Sequence, residues 1–124
     1  MARILVVDDS KFMRLILKNY FEKDSADKHE VVGEAESGDQ AVLKYKELKP
    51  DLVTMDIIMP AESGIDAVKQ ILAIDAKAKV IMVTAMGQEK IVAEAKKIGV
   101  KGFITKPIKP EDLLSVVKGV LEQP

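Results

Sequence analysis

Residues 3–10 read Arg3-Ile4-Leu5-Val6-Val7-Asp8-Asp9-Ser10: four consecutive apolar residues closed by two carboxylates. A strand with one wet face alternates apolar and polar side chains. This run does not alternate, which is the pattern of a central strand covered on both faces, as in a parallel sheet. Val80-Ile81-Met82-Val83 repeats it. Working outward, short β-rich runs predict strands at Arg3–Val7, Glu30–Ala35, Asp51–Met55, Lys79–Val83 and Lys101–Ile104. Between and after them lie five stretches of helical period. The first runs from about Ser10 to Lys23 and is broadly apolar through Phe12, Leu15, Ile16 and Leu17. The others align Ala41, Tyr45 and Leu48; Ile65, Val68 and Leu72; Ile91, Ala95 and Ile98; and Leu113, Val117 and Val120.

The punctuation agrees. Ser37 and Gln40 form a capping box, and Pro50 follows the second helix. Lys96, Lys97 and Gly99 make a helix stop, while Pro110, Glu111 and Asp112 suit a first turn. Strands alternating with helices require crossover connections and hence a parallel sheet. The expectation is an α/β protein, a doubly wound sheet of five strands with five helices.

Composition narrows the function. The chain has 124 residues, 48% hydrophobic and 31% charged, which suits one domain with its own core. Lys and Arg total 19 against 20 Asp and Glu, a net charge of −1. That balance argues against nucleic acid as the main partner. The absence of Cys excludes disulfides, thiol nucleophiles and thiolate metal sites. A single His, His29, excludes multi-histidine metal sites. No apolar run approaches the roughly 18 residues of a membrane span, and the start has no signal-peptide layout. These features predict a cytoplasmic chain with no membrane partner.

In open α/β sheets, ligands bind beyond the carboxyl ends of the strands. Asp8 and Asp9 follow the first predicted strand, Asp56 the third, Thr84 the fourth, and Thr105, Lys106 and Pro107 the fifth. Three carboxylates, two threonine hydroxyls and an ammonium therefore share one edge. Clustered, partly buried carboxylates repel, so at least one pKa should rise. A hard divalent cation such as Mg²⁺ would relieve the repulsion and leave one carboxylate as a nucleophile. Phosphoryl transfer asks mainly for positioning and charge neutralisation, which such a set could supply.

At these residues the chain resembles the receiver domains of two-component response regulators, and among them the stand-alone chemotaxis members. The motifs are Val6-Val7-Asp8-Asp9-Ser10, Asp51 through Pro60, Thr84-Ala85-Met86-Gly87 and Phe103-Ile104-Thr105-Lys106-Pro107. The resemblance implies a flavodoxin-like (βα)5 fold with strand order 2-1-3-4-5, residues 1–124 forming a single receiver with no output domain. It implies Asp56 as phosphoacceptor and Mg²⁺ held by Asp8, Asp9, Asp56 and the main-chain carbonyl of Ile58, Asp9 directly and Asp8 through water. Thr84 would hydrogen-bond the phosphoryl group, Lys106 would pair with Asp56, Phe103 would be the aromatic switch, and Lys106–Pro107 would be cis. A histidine kinase would donate the phosphoryl group. A motor or adaptor protein would read the fourth helix, fifth strand and fifth helix, with the chain a monomer or weak dimer. The chain would catalyse only its own phosphorylation and dephosphorylation. The alternative is a shuttle to a histidine phosphotransfer protein.

Departures from the family pattern carry expectations too. Ala61-Glu62-Ser63-Gly64 replaces a more usual loop, with Ser63 as cap and Gly64 permitting the bend. Asp24–His29 lengthens the first helix or its exit loop, and His29 is read as a solvated loop residue. Ile58 and Met86, each two residues past a site residue, carry no group to orient water, which predicts slow self-dephosphorylation. Met55, Met59, Met82 and Met86 are read as core or site wall. Lys90, Lys96, Lys97, Lys101 and Lys109 could form a basic edge. Gly33 and Gly38 have the spacing of a P-loop, but Asp39-Gln40 stands where Lys-Ser/Thr is needed. A phosphatase with an Asp nucleophile would want an acid at Ile58. A flavin site would want a phosphate-cradling loop where Asp8-Asp9 stand.

Overall fold

The computed structural model describes residues 2–23, 26–57, 59 and 64–124. Five strands, β1 (Arg3–Val7), β2 (Glu30–Ala35), β3 (Leu52–Asp56), β4 (Val80–Thr84) and β5 (Gly102–Thr105), alternate with five helices. These are α1 (Lys11–Glu22), α2 (Gly38–Leu48), α3 (Gly64–Ile74), α4 (Glu89–Ile98) and α5 (Pro110–Leu121). The strands form one parallel sheet in the order β2-β1-β3-β4-β5. This is the doubly wound, flavodoxin-like arrangement that the resemblance implied. β3 and β4 are buried throughout, and so is β1 past Arg3, as the unbroken apolar runs of β1 and β4 require. β2, at an edge, is mostly half-buried and wet.

Side chains alternate between the two faces of the sheet. Leu5, Val7, Val53, Met55, Val80 and Met82 pack under α2, α3 and α4, with Phe103 against them. Ile4, Val6, Leu52, Ile81, Val83 and Ile104 pack under α1 and α5. The helices turn the predicted residues inward: Ala41 and Tyr45, Ile65 and Val68, Ala95, and Leu113, Val117 and Val120 are buried. On α1 only Leu17 and Phe21 are fully buried, and Phe12 and Leu15 are exposed, so its apolar stretch is wider than its core stripe.

The caps follow the sequence. Gln40 N donates to Ser37 Oγ at 3.2 Å. The return bond of the box is displaced by one residue, with Glu36 N donating to Gln40 Oε1. Gly99 ends α4 with φ +111°, where a Cβ would be strained. Lys106–Pro107 is cis, as implied. The predicted Ser63 cap lies outside the described residues.

Three strands sit one residue later than predicted. β3, β4 and β5 each drop the polar residue at their start and gain Asp56, Thr84 and Thr105 at their end. The ladder explains the shift: Asp56 pairs with Val83 and Thr84 with Thr105, so neighbouring strands hold these polar residues in extended geometry.

His29 is a second correction. It is not solvated: the residue is buried, Nδ1 accepts a hydrogen bond from Ala2 N at 3.0 Å, and its ring meets Phe21 edge-on. Burial pushes its pKa below the usual histidine value, Asp27 opposing and the chain's amino terminus reinforcing the shift. The polar stretch before β2 thus ends in a buried anchor. Among the methionines, Met55, Met59 and Met82 are core, but Met86 is 91% exposed.

Candidate functional site: an acidic cluster at the carboxyl edge of the sheet

The site begins where β1 stops. Asp8 N donates to Ala35 O at 3.0 Å, which extends the ladder one step past β1. Ser10 then takes two roles. Its N–H donates to Asp8 Oδ1 at 2.9 Å, and its hydroxyl accepts from Met13 N at 3.2 Å, capping α1. Because Ser10 is the cap, neither carboxylate is consumed by the helix. Asp8 is buried and Asp9 exposed.

β3 delivers Asp56 to the same place. Carboxylate oxygens of Asp8, Asp9 and Asp56 all lie within 4.8 Å of one another. From the end of β5, Lys106 reaches over them, its Nζ 3.6 Å from Asp8 Oδ2 and 3.5 Å from Asp56 Oδ2. The lysine therefore bridges both buried carboxylates and not Asp56 alone. Its own N–H is tied to Thr84 O at 2.8 Å. The pKa of Asp56 is raised, as clustering requires: burial is the largest cause, Asp8 and then Asp9 add repulsion, and Lys106 opposes them.

The cluster fits a hard divalent cation on its own chemistry. All three donors are oxygens, and Asp8 Oδ2 is buried with no hydrogen-bond partner. An unbonded buried carboxylate oxygen is costly unless something positive completes it. Lys106 does so in part, and Asp9 leaves the cluster open to solvent on one side. Ile58, whose carbonyl was the fourth expected ligand, lies outside the described residues.

Thr84 and Phe103 are placed differently. By alternation both belong to the face under α4. The Thr84 hydroxyl is 3.4 Å from both Ile104 O and Thr105 Oγ1, so its partners are on β5. Phe103 is half-buried, and the Lys96 ammonium stands 5.6 Å from its ring centroid. Beside them a cleft of about 440 Å³ opens between Thr84, Thr105, Met86, Val92 and Lys96. All five lysines of the expected basic edge are exposed, and Lys96 is the one engaged with an aromatic ring.

Residues 4–118 match the sequence profile of the response regulator receiver domain. The chain belongs to the response regulator receiver family. The receiver is 52% identical over 118 residues to the chemotaxis protein CheY of Thermotoga maritima, covering 95% of this chain and 96% of that one. It is 50% identical over 119 residues to CheY of Bacillus subtilis, covering 96% and 97%. Among solved structures, it superposes with TM-score 0.89 and 35% identity on a chain from the Borrelia burgdorferi CheX–CheY–BeF3–Mg²⁺ complex, covering 98% of this chain and 90% of that one. The receiver is thus CheY-like in sequence and fold, and receivers of this kind are signalling proteins. Among the described residues no helix is long and apolar enough to cross a membrane.

Arg14 contributes to the receiver's site without being singled out from sequence, and Gly64 contributes in a way the sequence reading did not specify. Arg14 donates to Asp8 O at 2.7 Å and pairs with Glu34 at 3.0 Å. An arginine inside the apolar stretch Phe12–Leu17 was the available signal, since such a residue needs a partner when buried. Gly64 was read as permitting a bend. Its stricter role is space, because a Cβ there would collide with the main-chain oxygen of Asp56.

Proposed function

We propose that this receiver is a chemotaxis response regulator that accepts a phosphoryl group on Asp56 from a phosphohistidine of a kinase. The carrying observation is the juxtaposition of three carboxylates within 4.8 Å with Lys106 spanning Asp8 and Asp56. Asp8, Asp9 and Asp56, with the Ile58 carbonyl that the resemblance implies, would hold Mg²⁺, which would supply neutralisation of carboxylate and phosphoryl charge. An Asp56 oxygen attacks phosphorus in line. The new P–O bond forms as the P–N bond breaks, and the electron pair leaves on the donor imidazole. Lys106 exchanges the Asp56 carboxylate for a phosphoryl oxygen. Thr84 gives up its β5 partners to donate to the same group. Its movement opens room for Phe103, which leaves Lys96 and turns inward. The face made by α4, β5 and α5 then presents a changed surface to a motor or adaptor protein, as a shift between pre-existing states.

The similarity to chemotaxis proteins over nearly their whole length favours this role over a phosphorelay shuttle. The shuttle reading predicts transfer onward to a histidine phosphotransfer domain and no binding to a motility partner. The primary test is intact mass after incubation with acetyl phosphate, with and without Mg²⁺, beside Asp56→Asn. One phosphoryl adduct, dependent on Mg²⁺ and absent from the variant, is the expected result. An adduct retained in Asp56→Asn would place the acceptor elsewhere, and none in the parent would remove the phosphoacceptor role.

A further inference from the structure

We infer that Arg14 is a positioning residue for the cation site, locking the backbone of Asp8 so that a single carboxylate oxygen is left to bind. Its side chain is only 12% exposed. The guanidinium divides between two elements: Nη1 donates to Asp8 O at 2.7 Å, and Nε donates to Glu34 Oε1 on β2 at 3.0 Å. Its own backbone closes the first turn of α1 onto Ser10 O. The fork thus ties the β1–α1 turn, the helix and the edge strand together.

The consequence falls on Asp8. Its N–H is committed to Ala35 O, its carbonyl to Arg14 and its Oδ1 to Ser10 N. Only Oδ2 has no hydrogen bond, and it is the oxygen beside Lys106. A ligand fixed in this way needs little reorganisation when a cation arrives, and partners of ligands typically matter about 10–100-fold in metal affinity. Charge alone would act the opposite way: a cation near an acidic cluster repels a metal, so removing it would tighten binding. Two observations favour positioning. Glu34 neutralises the guanidinium, and the guanidinium points at a carbonyl and not at a carboxylate of the cluster. Lysine cannot reproduce the fork, because its ammonium lacks the planar spread of donors.

The inference rests on the cation reading of the cluster, and the experiment separates the two. Mg²⁺ binding is measured by titration calorimetry for the parent, Arg14→Gln and Arg14→Lys, with thermal midpoints recorded alongside. Arg14→Gln is expected to weaken Mg²⁺ about tenfold or more. Arg14→Lys, which keeps the charge and loses the fork, is expected to weaken it severalfold. It serves as the deciding variant if Arg14→Gln does not fold. Affinity within twofold of the parent, or tighter, overturns the positioning role even if the midpoint drops, since that pattern marks a structural contact only. A parent that binds no Mg²⁺ overturns the cation reading, and this inference with it.

Discussion

At His29 one buried imidazole closes the start of the sheet. It is held neutral, accepting from Ala2 N, and its pKa lies below the ordinary value of 6.5. Below about pH 6.5 the unfolded chain takes up a proton that the folded protein resists. Stability is therefore complete above that value and declines as pH falls from it toward the depressed folded pKa. Urea unfolding between pH 7.5 and 5 should show this decline, and His29→Gln should flatten the part that belongs to histidine. Ile58 and Met86 carry a kinetic prediction at the same scale. With an isoleucine and an exposed methionine where a water-orienting group could stand, the phosphoryl-aspartate should be long-lived. Ile58→Asn should shorten its half-life, or at most leave it unchanged, as read by loss of the mass adduct over time; a longer half-life would count against the idea.

At the scale of elements, α3 starts against the end of β3. Gly64 N donates to Ile57 O at 2.8 Å, and a methyl on Gly64 would meet the Asp56 main-chain oxygen and the Ile57 Cα. Backbone atoms cannot step aside as a flexible side chain can. Gly64→Ala should cost about 1–3 kcal/mol, in the range of overpacked sites. It should also slow phosphorylation, because relief comes by displacing the strand end that carries Asp56. Denaturant midpoints and acetyl phosphate kinetics read the two effects, and a variant with unaltered rates would deny the link between α3 and the proposed acceptor. Most elements were legible beforehand, because period, caps and glycine stops all spoke for the same segments. The ends of β3, β4 and β5 were not. Asp56, Thr84 and Thr105 look like loop residues by polarity, and only pairing with a neighbouring strand keeps them extended. His29 was missed for a related reason: a polar neighbourhood from Glu22 to Glu30 gives no local sign that one member turns inward.

Across the whole molecule the acidic edge works against the fold until it is neutralised. The raised Asp56 pKa means that the metal-free protein binds a proton there more readily than the unfolded chain does. Its contribution to stability is greatest below the unfolded pKa and is lost as pH rises through the elevated folded one. At neutral pH, Asp56→Asn should therefore melt higher than the parent without metal. Mg²⁺ at a hundred times its dissociation constant should add about 2.7 kcal/mol to the parent, or roughly 10 °C in midpoint. Scanning calorimetry with and without Mg²⁺ checks both; a parent that melts no lower than Asp56→Asn in chelator would show that the cluster imposes no such cost. That the carboxylates share one edge was readable from their places just after the predicted strands. That Lys106 spans two of them, and that Arg14 grips Asp8 from behind, depended on side-chain reach, which no spacing rule encodes.

The alternation of side chains along the strands has a further consequence. Asp8 and Asp56 continue the rows under α1 and α5, whereas Thr84 and Phe103 continue the rows under α4. The sheet is a wall between two rooms, and the rooms communicate at its carboxyl rim, where the Lys106 N–H is fastened to the Thr84 carbonyl. On the proposed reading, residues on the α4 side can change without disturbing the carboxylates on the other, so a lineage could exchange its listeners while keeping its grammar.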